Sequence, residues 1–235
     1  MIPYKLRFST RGTLRITVNP DTSVFVDAPE SRTIDEVRAR LKRRAQWIAK
    51  QRDYFLRFKP RPPKKTFQSG ETVTYLGRHY RLKVTIGYEA RTVLSGRFLK
   101  ATVTGRSVRV LAVRQAVVAW YLKRAQDVFQ RRLETCHAHI KQLRIKPPKL
   151  IIRPMIRRWG SFTKNGAIVL NSDLIQAPIH CVDYVIFHEL IHALVPNHGP
   201  RFYDLLTRFV PDWQIRKVRL ETAMSQLPTG VTIRS

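Results

Sequence analysis

The sequence predicts an α+β protein in which a histidine-bearing helix packs on a small sheet. Three observations predict this. Short alternating apolar segments punctuated by Gly, Pro and Asn fill much of the first half and read as strands. Two long stretches, 31–58 and 115–145, repeat apolar residues at helical spacing. A third, apolar stretch at 181–194 contains His188-Glu189-Leu190-Ile191-His192. The expected organisation is a basic, β-rich region with one long helix over 1–112 and a metal-binding catalytic domain over 113–235.

The 235-residue chain is 43% hydrophobic, which suits a packed core and excludes an intrinsically disordered protein. No apolar run reaches the ~18 residues of a membrane span, and the first residues lack the apolar block of a signal peptide. Cys136 and Cys181 are the only cysteines. They could pair, but two are too few for a secreted disulfide framework, so a reducing cytoplasm is expected. The net charge of +28 is unevenly spread: residues 1–150 carry +24 and residues 151–235 carry +4. Such a field attracts polyanions, nucleic acid first, and a solubility role is the alternative.

In chain order, 5–26 reads as a β-hairpin, with Leu14, Ile16 and Val18 alternating against Val24 and Val26 around a turn at Asn19-Pro20-Asp21. Thr33 and Glu36 form a capping box that opens a helix over 31–58. Its polar face carries Arg38, Arg40, Lys42, Arg43, Arg44, Lys50 and Arg52, interleaved with Trp47, Tyr54 and Phe55. The proline-rich basic stretch 59–65 reads as an extended connection. Strands are expected at 71–75, 79–86 and 108–113, and His79 lies in one of them without a partner histidine. The helix over 115–145 buries Val117, Tyr121, Val128, Leu133, Cys136, Ile140 and Leu143. His137 and His139 are two apart, share no helix face, and form no metal site. Further strands are expected at 149–156 and 167–171. The second reads either as a core strand or as a sheet edge open to an extended peptide. Asn171-Ser172-Asp173 caps a short helix that ends at Ala177-Pro178. Helices over 201–210 and from Pro211-Asp212-Trp213 onward, with a frayed tail from 227, complete the chain.

The chemistry concentrates at His188, Glu189, His192 and His198. Residues four apart lie on one helix face, so His188 and His192 can grip one ion from adjacent turns. Glu189 sits beside the first ligand and can take a proton from a water polarised by the metal. Asp183 is expected in the helix's first turn, and Pro196 stops the helix. A catalytic zinc has three protein ligands and one open position, which makes His198, six residues beyond His192, the third ligand. The spacing is that of metzincins, although Val195 holds the position where they place a glycine. An ordinary surface helix with two histidines is the alternative. It fits poorly with apolar flanks, because a buried ionised Glu189 without a partner is costly.

These residues carry a resemblance. Arg158-Trp159-Gly160-Ser161, Leu170-Asn171, Tyr184-Val185, His188-Glu189-Leu190 with His192, Asn197-His198-Gly199, Phe202 and Pro211-Asp212-Trp213 resemble the YgjP-like metallopeptidase family, relatives of the WLM and SprT-like zincins. Pro20-Asp21, Ala28-Pro29, Trp47-Ile48 and Tyr75-Leu76-Gly77 fit the same family less specifically. The resemblance implies a zincin-like fold, Zn2+ as cofactor with His188, His192 and His198 as ligands, and Glu189 as the base. The family's Trp-Gly-Ser motif usually continues with Cys; Phe162 stands there instead, so a thiol at that position is outside the core chemistry.

Three functions compete. The first is a zinc metallopeptidase acting on a protein or peptide, with Arg158 or Tyr203 as oxyanion stabilisers, on or near nucleic acid held by the basic region. The second keeps the metal but hydrolyses nucleoside triphosphates, an activity also attached to the family; it would use the basic excess to clamp phosphates, but no P-loop or magnesium carboxylate cluster is present. The third is a nucleic-acid-binding module with a structural metal, disfavoured because structural zinc takes four ligands and needs no Glu189. The sequence leaves oligomeric state open.

Overall fold

A computed structural model describes residues 3–10, 12–19, 22–56, 65–155 and 158–225. The turn residues Pro20 and Asp21, the 59–64 connection and the tail from 227 lie outside them. Among the described residues no helix is long and apolar enough to cross a membrane. The fold is α+β, built as two compact units, Met1–Arg61 and Pro62–Ser235. The boundary expected at 112/113 falls inside a helix of the second unit, which also includes the strands from 72 onward.

In the first unit, β1 (Tyr4–Ser9), β2 (Arg15–Val18) and β3 (Val24–Pro29) form a sheet in the order β1-β3-β2. The expected hairpin is β2 with β3, which pair antiparallel from Arg15 opposite Asp27 to Val18 opposite Val24. The first strand was not foreseen as a parallel partner of β3. Helix α1 (Ile34–Arg43) opens on the expected capping box: Thr33 accepts from the Glu36 N–H, and Glu36 accepts from the Thr33 N–H. The single helix expected over 31–58 is two, because Arg44 leaves helical geometry at φ −101°, ψ 7° before α2 (Ala45–Leu56) begins. No Gly or Pro marks this break in the sequence. Val26, Ala28 and Val37 form the small core.

The second unit begins with a four-stranded sheet: β4 (Thr72–Tyr75), β5 (Arg78–Ile86), β6 (Arg91–Ser95) and β7 (Phe98–Val103), in the order β4-β5-β7-β6. Its inner face presents Val73, Leu82, Leu99, Ala101 and Val103 to the core shared with α3 (Val110–His139). A strand was expected at 108–113; Val110 onward is instead the first turn of α3, since six apolar-rich residues satisfy either period. A 3-10 turn, Lys141–Leu143, ends this element. Strands β8 (Lys149–Arg153), β9 (Gly160–Phe162) and β10 (Ala167–Asn171) form a second sheet in the order β8-β10-β9. The strand β10, read as a possible edge, is central and buried along its whole length. The edge is β9.

Asn171 accepts from the Asp173 N–H and opens a 3-10 segment, Ser172–Gln176, that leads into α4 (Ile179–His192). Helices α5 (Pro200–Phe209) and α6 (Trp213–Ser225) follow. Two contacts set the position of α4. The β4–β5 turn has Leu76 and Gly77 at positive φ, and their N–H groups donate to the carbonyls of Ile175 and Gln176. A Cβ on Gly77 would stand 2.7 Å from the Pro178 ring, so only glycine permits this approach. Asp183, expected in the first turn, lies past it, and its carboxylate takes a bidentate pair from Arg132 of α3 at 2.6 and 2.7 Å. Cys136 and Cys181 are buried and unpaired, and burial pushes their thiols up to about 12 and about 11.

The Arg132–Asp183 pair is largely removed from water on the Asp183 side, so Asp183→Ala should destabilise the protein by about 2–3 kcal/mol. Urea unfolding reads this as a lower midpoint at unchanged slope. An unshifted midpoint would mean that the pair contributes nothing to the α3–α4 contact.

Candidate metal centre

Helix α4 is apolar because it is enclosed: Cys181, Val182, Val185, Ile186, Phe187, Leu190 and Ile191 are all buried. Its remaining face carries His188 and His192 one turn apart. After His192 the chain turns through 193–198 and enters α5 at Gly199-Pro200. No residue in that turn has positive φ, which is why Val195 can stand where metzincins place a glycine. The His192 Nδ1 lies 3.0 Å from the Val195 carbonyl. The Nδ1–H donates to that carbonyl, which keeps the ring's proton on Nδ1 and leaves Nε2 bare.

The turn brings His198 onto the other two rings. Its Nε2 lies 3.0 Å from the His188 Nε2 and 3.1 Å from the His192 Nε2. Four ligands at ~2.0–2.1 Å around a tetrahedral zinc stand about 3.3 Å apart, so the spacing suits one ion held by three imidazoles. Among the described residues these three form the one group of His, Cys, Asp or Glu side chains that could hold a metal. His137 and His139 instead bond to the carbonyls of Ile145 and Thr135. The Phe202 ring, fully buried on α5, packs 4.7–4.9 Å from all three imidazoles and backs the cluster. Burial, with the neighbouring His192 and His198, drives the His188 imidazole down to about 3, so it stays neutral.

Glu189 is 6% exposed. Burial lifts its carboxyl to about 7; the Phe162 N–H, which donates to it, and the Arg158 guanidinium pull the other way. A Cβ on Gly160 would lie 2.7 Å from Oε1 and Cγ of Glu189. The edge strand β9 therefore touches the carboxylate with bare backbone. Gly160 and the Phe162 N–H are parts of the site that residue chemistry alone did not single out; the Trp159-Gly160-Ser161 motif was the available signal.

A cleft of about 680 Å³ opens between β9 and α4, lined among others by Arg158, Trp159, Lys164, Tyr184, His188, Glu189, His192 and His198. Arg158, expected as an oxyanion stabiliser, lies in it. Tyr203 does not line it, but stacks on Trp213 with ring centroids 5.1 Å apart. Glu189, His188, His192 and His198 are thus together in one cleft.

Three imidazoles that could hold one metal ion lie beside a buried carboxylate with a pKa near neutrality, the kind of donor set that metal-dependent hydrolases use. The chain belongs to the YgjP-like family, whose metallopeptidase-domain model matches residues 12–223. No curated relative matches it. Among solved structures, it is similar to two metallopeptidase zymogens. One is the metallopeptidase zymogen of Pyrococcus abyssi abylysin, 20% identical, covering 48% of this chain and 99% of that one at a TM-score of 0.33. The other is the metallopeptidase zymogen of Methanocaldococcus jannaschii jannalysin, 20% identical, covering 40% and 93% at 0.31.

Two substitutions separate the imidazoles from the carboxylate. His198→Ala should lose metal, measured as zinc per chain in purified protein. Gly160→Ala should keep zinc while displacing Glu189 and lowering hydrolysis. Full zinc in His198→Ala would place the third ligand elsewhere.

Proposed function

We propose that the protein is a zinc-dependent peptidase in which His188, His192 and His198 hold the metal and Glu189 is the general base. The observation that carries the reading is the buried Glu189 carboxylate, one residue from His188 and open to the same cleft. A zinc ion bound there supplies Lewis acidity for the scissile carbonyl and makes water acidic near neutral pH. Glu189 takes the proton from the attacking water and returns it to the leaving amine. Its raised pKa suits both steps. The Phe162 N–H orients the carboxylate, and Arg158, which lines the cleft, would meet negative charge developing on the carbonyl oxygen. The free edge of β9, beside the cleft, would receive the substrate as an added strand, a role first assigned to 167–170.

A second reading, phosphoanhydride hydrolysis of nucleoside triphosphates, is favoured by one observation: Arg158 and Lys164 both line the cleft and could clamp phosphates. Contact with nucleic acid through the basic N-terminal region would bring substrates to either chemistry. A cytoplasmic location is the setting proposed for both.

Glu189→Gln keeps size and hydrogen bonding but cannot accept the proton. It should retain zinc and lose casein hydrolysis by roughly 10²–10⁴-fold. Full activity in that variant would remove the mechanism. Release of phosphate from nucleoside triphosphates, with casein untouched, would move the assignment to the second reading.

A further inference from the structure

An excess of positive charge in the second unit lies away from the cleft, on the four-stranded sheet. Residues 66–109 contain eight Lys or Arg and two Glu. Glu71 is engaged by the N–H groups of Thr66 and Phe67, and Glu89 lies outside the strands. The four strands themselves hold no acidic residue.

The register places the cations on the outer face. Leu82, Leu99, Ala101 and Val103 point into the core, so the alternate positions point to water. Three rows cross the sheet there. Thr72, Arg81, Phe98 and Ser95 are in register; then Lys83, Lys100 and Val93; then Thr85, Thr102 and Arg91. The Thr85 and Thr102 hydroxyls bond at 3.2 Å, which confirms that they share this face. Rows are about 6–7 Å apart, and each carries at least one cation. Among the described residues none of these cations has a carboxylate within ion-pair reach.

Two features are unexpected for a face that needs only to be soluble. Lys83 and Lys100 stand directly opposite on neighbouring strands, where like charges are destabilising. Surfaces made for solubility mix both signs. Phe98 is 43% exposed in the end row of this field, in register with Arg81 and two residues before Lys100, and Tyr88 stands fully exposed in the turn after β5. Cations track a phosphate backbone, and an exposed ring between them stacks on bases that are free of a duplex.

We infer that the outer face of the β4-β5-β7-β6 sheet docks single-stranded nucleic acid, with Arg81, Lys83, Arg91 and Lys100 on the phosphates and Phe98 stacked on a base. This deepens the nucleic-acid contact proposed above and rests on it, but not on the metal chemistry. It also moves the contact from the α1 arginines, the densest cluster in the sequence, to a surface that pairs charge with an exposed ring.

The test uses the full chain and a fluorescein-labelled oligothymidylate of about 20 nucleotides, read by anisotropy across a salt series. The Arg81→Glu/Lys83→Glu/Lys100→Glu variant should weaken binding more than tenfold and flatten the salt slope by about 2, at ~0.7 per contact on single strands. Phe98→Ala should weaken binding about tenfold with the slope unchanged, since stacking releases no counterions. Arg40→Glu/Arg43→Glu/Arg44→Glu is the comparison and should change binding less than the sheet variant. All these side chains are exposed, and zinc content with thermal unfolding reports that each variant is folded. If the α1 variant abolishes binding and the sheet variants do not, the sheet inference is overturned while the contact stands. No binding by the wild type at low salt overturns both. Equal affinity for a duplex, with Phe98→Ala silent, overturns the single-strand assignment. Equal competition by polyglutamate, again with Phe98→Ala silent, assigns the face to acidic protein instead.

Discussion

A carboxylate buried on a helix beside three imidazoles is the constraint from which the rest of the second unit follows. Glu189 is removed from water, and an ionised carboxylate there is unfavourable unless something nearby is positive or donates a hydrogen bond. The described residues supply one N–H, from Phe162, and one guanidinium that faces it at longer range, from Arg158. The carboxyl consequently sits near neutrality. Three imidazoles with nitrogens about 3 Å apart are the complementary feature: such a cluster gains from a cation between the rings. Each half of the site lacks what the other, with a metal, would provide.

The fold holds this arrangement through contacts that are mostly remote from it. Gly77 and Pro178 lock the β4–β5 turn against the start of α4, and Arg132 grips Asp183 one turn further on. Phe202 fixes the imidazole cluster from below. Gly160 lets β9 approach until only backbone separates it from Glu189. A site built on a buried helix and a strand, with a short turn supplying one ligand, has little freedom to drift.

Much of this was legible in the sequence, and the limits have physical causes. The i, i+4 spacing of His188 and His192 and the turn to His198 are local, and so are the Thr33–Glu36 box and the Asn171 cap. What escaped was pairing at a distance. Asp183 was assigned to the helix dipole because its partner Arg132 is 51 residues away. The strand 167–171 was read as either edge or core because burial on both faces leaves no alternation to read. Strands β6 and β7 went unread between glycines, and the parallel partner of β3 was invisible to turn chemistry. The break at Arg44 has no sequence signal at all. Gly160 could be recognised as unusual only once Glu189 was seen against it.

The most direct measurement is X-ray absorption at the zinc edge on protein loaded with one equivalent of zinc. The account predicts a first shell of nitrogen and oxygen at about 2.0–2.1 Å, with the scattering signature of three imidazoles and one further light atom. A shell with fewer than three imidazoles, or with sulfur at about 2.3 Å, would contradict it, because Cys136 and Cys181 are buried away from the cleft.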